Sequence, residues 1–192
     1  MPRSSSHGSP FPITIIPHAD SGVLCKAGYD AIYIIGFDGQ PDDAPLKVGI
    51  ASDIHVRLHG MQTGNWQKIV VHEILFVQRH DNGDRGFAVA PRIEAEIHEI
   101  LRAKGLHRQG EWFAGGSNLI IEIAKEVATR QSAAGFLTCA SMLRRMKMWK
   151  IEADEASAKG IKPATSRAET YSRAVLDKAM IRSKQSGFGR IR

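Results

Sequence analysis

Glu94 and His98 stand one helical turn apart, in a stretch whose apolar residues Ile93, Ile97, Ile100 and Leu101 recur at helical spacing. A carboxylate and an imidazole on one helix face can share a ligand or exchange a proton. They do not make a catalytic zinc site, which ordinarily takes three protein ligands. Alone, the pair reads equally as a surface contact worth roughly a few tenths of a kcal/mol. Three other residues carry chemistry near apolar runs. Tyr33 lies in Ala31–Ile35, Lys47 opens Lys47-Val48-Gly49, and Arg57 follows eight residues after Gly49. Taken singly, Tyr33 is a half-buried strand aromatic. Arg57 is a solvated helix residue, although Ile54, Leu58 and Met61 on the same side bring part of it toward a core. His72 is a weaker candidate, because its facing depends on a strand register.

The elements that must position these residues are legible in outline. Residues 31–35, rich in β-branched side chains, and the short 46–50 are two strands joined by the turn-rich 36–45, which suggests an antiparallel hairpin. Ser52 is a good N-cap, with Asp53 in the first turn of a helix that reaches Met61 and ends at Thr63-Gly64-Asn65. A third strand runs from Ile69 to Val77, and a polar loop spans 80–86. Pro91 suits the first position of a helix over 91–104, which Gly105 ends. Gly110-Glu111-Trp112-Phe113 reads as an aromatic turn, its rings serving as core plugs rather than base-stacking platforms. A helix follows from Asn118 to about Arg130. Gly115-Gly116 is too short to be a phosphate loop. Residues 132–158 read as one helix and 166–184 as a last, basic one. The order β-β-α-β-α followed by helices predicts an α+β fold: a small three-stranded, mainly antiparallel sheet with flanking helices, then a helical C-terminal extension. The expected division is a loosely structured segment over 1–28, a domain over 29–130 and a basic helical extension over 131–192.

Five short motifs in this order resemble the GIY-YIG nuclease superfamily. Ala31-Ile32-Tyr33 matches the first motif, with Ala for Gly. Lys47-Val48-Gly49 matches the second, with Lys for Tyr, as in a branch that carries K-[IV]-G. An Arg helix with Gln62-Thr63-Gly64-Asn65 follows, then Glu94 to His98, then Gly110 to Phe113. The likeness covers about residues 31–125. It implies a divalent-metal-dependent endonuclease that hydrolyses DNA phosphodiesters. In that reading Glu94 would hold a hydrated Mg²⁺ or Mn²⁺. Arg57 would pair with phosphate through its planar fork. Tyr33 would position or deprotonate the attacking water, although its ordinary pKa near ~10 makes it a poor base unaided. Lys47 is the departure from the pattern: it could orient phosphate, act as a base, or mark a weakened site. His98 could hydrogen-bond substrate or act as a general acid.

Charge and composition constrain the partners. Residues 1–130 carry 13 Lys+Arg and 15 Asp+Glu, a balance of −2, whereas residues 131–192 carry 13 and 5, a balance of +8. Arg144, Arg145, Lys147 and Lys150 form the densest part of that excess and are candidate DNA contacts. Arg167, Arg173, Lys178, Arg182, Lys184, Arg190 and Arg192 continue it. The same residues could simply solvate a helical face. A hydrophobic fraction of 43% supports a packed core. No apolar run is long enough to span a membrane, and the polar, Ser-rich start with its broken run Phe11–Ile16 is no secretory signal. Cys25 and Cys139 lack metal or disulfide-framework spacing, so a reducing cytoplasm is the expected location. DNA is the expected partner, with no membrane and a possible homo-oligomer through the C-terminal helices. The competing readings are a catalytically weak or inactive nucleic-acid-binding module and a protein-interaction domain.

Overall fold

The computed structural model describes residues 18–80 and 88–159. Helix α1 (His18–Lys26) leads into the strands β1 (Tyr29–Phe37) and β2 (Leu46–Ala51), then helix α2 (Ile54–Thr63) and strand β3 (Ile69–Gln78). Helix α3 (Val89–Ala103) precedes the short strands β4 (His107–Gln109) and β5 (Trp112–Phe113). Helix α4 (Ser117–Gln131), strand β6 (Phe136–Thr138) and helix α5 (Cys139–Ala158) complete the described chain. The strands form one six-stranded sheet in the order β4-β5-β2-β1-β3-β6, with every pair antiparallel.

β1 is central, and eight of its nine residues are buried. A strand covered on both faces needs apolar residues at every position rather than at alternate ones, which accounts for the unbroken run Ala31–Ile35. One face, with Ala31, Tyr33 and Ile35, packs with Leu24, Ile54, Met142 and Met146 from α1, α2 and α5. The other, with Ile32 and Ile34, packs against Ile93, Ile97, Ile120 and Val127 from α3 and α4. No helix among the described residues is long and apolar enough to cross a membrane.

The α+β class is as expected, but the sheet is twice as wide as the three strands read from the sequence. β4, β5 and β6 hold three, two and three residues, too few to show a period of two, so only their pairing partners make them strands. Residues 132–158 are not one helix. Gly135, at φ 70, breaks the run; Phe136–Thr138 then pairs with β3, and Thr138 Oγ1 accepts the Ser141 N–H at 3.3 Å as α5 begins. Part of the 1–28 lead-in is helical. α1 docks by tertiary contacts: Leu24 is buried, and the Ser21 hydroxyl donates to Asp53 at 2.7 Å. Asp53, not Ser52, caps α2. The 81–87 part of the polar loop, the 166–184 helix and the basic residues from Arg167 to Arg192 lie outside the described residues.

Candidate active site

Tyr33 sits at the middle of β1 directly opposite Gly49 of β2. A Cβ at position 49 would come within 2.5 Å of the Tyr33 hydroxyl. The tyrosine ring therefore lies across the bare backbone of Gly49, and this contact demands glycine at the end of Lys47-Val48-Gly49. The ring is fully buried. Its hydroxyl accepts from Arg57 Nε at 3.3 Å and lies 4.0 Å from Met61 Sδ. Arg57 projects from the first turn of α2, whose start is fixed by Asp53: its carboxylate accepts the backbone N–H groups of His55 (3.1 Å) and Val56 (3.2 Å). The hydrogen bond to Tyr33, then the charges of Glu111 and Glu94, hold the guanidinium even more firmly protonated than usual. Among the described residues, no hydrogen bond or ion pair takes its two terminal nitrogens.

Lys47 lies two residues before Gly49 and so on the same sheet face. Its ammonium pairs with Glu111, which stands in the turn between β4 and β5; the side chains are 14% and 43% exposed. Glu111 is held below the usual carboxylate range, first by this hydrogen bond. Glu111 is the site residue that the sequence reading passed over. It stood in view inside Gly110-Glu111-Trp112-Phe113, but nothing local says that it meets a lysine 64 positions away.

Glu94 and His98 reach the site from the other side of the sheet because β2 has an open edge. β5 pairs only with Leu46 and Lys47. Beyond them the outward Val48 N–H goes to the Glu111 carbonyl at 3.1 Å, and the Val48 carbonyl accepts from His98 Nε2 at 3.1 Å. The Ile50 N–H, two residues on, favours the charged form of the Glu94 carboxylate. A helical i,i+4 step rises about 6 Å and a two-residue strand step about 6.7 Å, so one helix face reads alternate positions of one strand edge. This is why the spacing is Glu-x-x-x-His. His98 is 7% exposed and packs 5.0 Å from the Phe113 ring. Burial pushes its pKa down, so the neutral Nε2–H tautomer serves the carbonyl. The Glu94 pKa is pushed up, first by burial and then by repulsion from Glu111, against the pull of Lys47, the Ile50 N–H and Arg57.

Tyr33, Lys47, Arg57, Glu94, His98 and Glu111 thus gather at one strand edge. His72 does not join them: it occupies the irregularity of β3 opposite Ile34/Ile35 and lies against Gly36, with Asp42 as its charged neighbour. Arg144, Arg145 and Lys147 are exposed on α5, with Lys150 partly covered. α5 packs beside β3 and β6, so two strands, β1 and β3, intervene between β6 and β2. That is about 14 Å of sheet. Arg145 lies 5.5 Å over the Trp149 ring. Phe113 is a core plug, and Trp112 stacks on Phe37 at 5.2 Å.

One family model, the T5orf172 domain, matches residues 30–128. The chain belongs to the T5orf172 domain family. That match overturns the expected GIY-YIG membership. The motifs that suggested it are three to five residues long, and packing explains several of them: Gly49 yields to Tyr33, and Glu94 and His98 read the edge of β2. Local constraints of this kind do not distinguish one nuclease-like family from another. The T5orf172 domain is associated with nuclease and DNA-binding function, which is consistent with a module that acts on nucleic acid. Neither the curated proteins nor the solved structures contain a match to the chain.

Proposed function

We propose that this T5orf172 domain hydrolyses DNA phosphodiesters as a divalent-metal-dependent endonuclease, at the open edge of β2. The observation that carries the reading is the convergence there of Arg57, Lys47, Glu94 and the Tyr33 hydroxyl on one mixed-charge cluster. Arg57 spends Nε on Tyr33, which leaves its terminal nitrogens to take two phosphate oxygens. Tyr33 is in this account a positioning residue that aims the guanidinium. Lys47, held in place by its ion pair with Glu111, stabilises negative charge that gathers on the phosphate or on the leaving alkoxide. His98 holds α3 to the strand edge and so fixes where Glu94 points.

The donor set suits a hard cation. No group of three or more His, Cys, Asp or Glu among the described residues could hold a metal alone, which disfavours zinc. Mg²⁺ and Mn²⁺ keep most of their waters and accept one or two carboxylates plus a substrate phosphate. The repulsion between Glu94 and Glu111 is the imbalance that such an ion would relieve. When bound at Glu94, it would supply an acidified water and charge neutralisation.

Supercoiled plasmid incubated with the full chain and Mg²⁺ or Mn²⁺ should be nicked. Glu94→Gln and Arg57→Ala should lower the rate about 100-fold or more. Equal nicking by all three proteins would remove the proposed mechanism. A second reading, a binding module without cleavage, has one observation in its favour: the Tyr33 hydroxyl is covered by Arg57 and Met61. It predicts salt-dependent DNA retention with no nicked product.

A further inference from the structure

Trp66 is 94% exposed, the most exposed large apolar side chain among the described residues. Water-exposed indole carries a large unmet apolar surface. Nothing in the fold requires it at this place, because the turn that displays it is held by other residues. Gln62 Nε2 donates to the carbonyls of Asn65 (3.2 Å) and Gln67 (3.0 Å), and Gln62 Oε1 accepts the Ile69 N–H at 2.8 Å. Asn65 Nδ2 donates to the Met61 carbonyl at 2.7 Å. The backbone on both sides of Trp66 is therefore fixed, and binding through its ring costs little ordering entropy.

Two observations identify what would lie on the ring. The turn continues α2, the helix that carries Arg57, and Arg57 to Thr63 is about 9 Å of helix. From Ile54 to His72 the sequence has no Asp or Glu, while it holds Arg57, Lys68 and three histidines. Lys68 faces Asp38 across an exposed 3.3 Å pair, and Val56, beside Arg57, is an exposed apolar flank. A segment that brings no carboxylate of its own, with Arg57 and a flat aromatic ring, matches a nucleic acid strand rather than a protein helix: phosphate meets the guanidinium and a base meets the ring.

We propose that Trp66 is a stacking platform for an unpaired nucleobase of the strand whose phosphate Arg57 engages. This rests on the nucleic-acid reading of the same cleft and adds a preference for unpaired bases. The full chain carrying Glu94→Gln is titrated against a fluorescein-labelled oligothymidylate, and affinity is read by anisotropy with and without Trp66→Ala. Trp66→Ala should weaken binding about 10-fold, with an unchanged salt slope, because stacking releases no counterions. Trp66→Phe should keep most of the affinity. The other two tryptophans, Trp112 and Trp149, pack on Phe37 and Tyr29, so the fluorescence quenched by the oligonucleotide should vanish with Trp66. Equal affinity for the Trp66→Ala protein would overturn the stacking role and leave the nuclease reading standing. No retention of oligonucleotide by any form would overturn both.

Discussion

Glu94 carries a charge that its surroundings disfavour. Burial and the neighbouring Glu111 raise its pKa in the fold. A carboxyl raised in the native state contributes fully to stability below its ordinary pKa, about 4.3, and loses that contribution as pH rises through the raised value. Glu94→Gln removes the charge while keeping an acceptor for the Ile50 N–H. It should therefore stabilise the protein by about 1 kcal/mol at pH 7, with the gain shrinking toward pH 4, as urea unfolding at the two values would measure. The same substitution is expected to lower the nicking rate about 100-fold or more, so a gain in stability beside a loss of rate is the signature of a functional carboxylate. At this scale the sequence was informative about residue types: Tyr33, Lys47, Arg57, Glu94 and His98 were all visible. Their pairings were not. Lys47 read as a phosphate ligand, a base or the mark of a weakened site, and only the turn between β4 and β5 delivers Glu111 to it.

The element that organises the cleft is α3 lying along the unpaired edge of β2. An exposed strand edge presents N–H and C=O groups that need partners, and here two helix side chains supply them. His98→Ala would leave the buried Val48 carbonyl without its donor and a space beside Phe113. The expected cost is about 2 kcal/mol, smaller for His98→Gln, which keeps a donor. Burial depresses the His98 pKa. Its contribution is therefore present above the ordinary histidine value near ~6.5 and is lost as pH falls below it. Wild-type stability should drop between pH 7 and pH 5, and His98→Gln should show a shallower drop in thermal melts. The helical period and the acidic residues of α3 were readable from spacing. That the helix serves a strand edge was not, because β5 stops pairing after Lys47, and no local signal marks where a partner strand ends.

At the scale of the whole molecule, the split in charge does not coincide with a split in the core. β6 joins the sheet, and Met142 and Met146 of α5 are buried with Tyr33 and Ile35. Deleting residues 131–192 should therefore do more than remove a balance of +8. It should uncover one face of the core and cost several kcal/mol, about 2–5 for each buried methionine lost. Loss of the cooperative melting transition would check this; an unchanged transition would refute it. The positive charge of α5 is better tested in the full chain. Arg144→Ala with Lys147→Ala should weaken DNA retention and reduce the salt slope by about 2, since both side chains are exposed and neither packs in the core.

What the sequence by itself determined about this protein is therefore local. The unbroken apolar run of β1, the strand of β3, the amphipathic α3 and the chemically able residues were all legible, because each depends on the side chains of one segment. The tertiary structure alone decided the three extra strands, the docking of α1, the union of Lys47 with Glu111, and the reading of β2 by Glu94 and His98. The physical reason is the same in each case. A strand of two or three residues, or an ion pair across 64 positions, gains its free energy entirely from a partner elsewhere in the chain, and that partner leaves no periodicity to read.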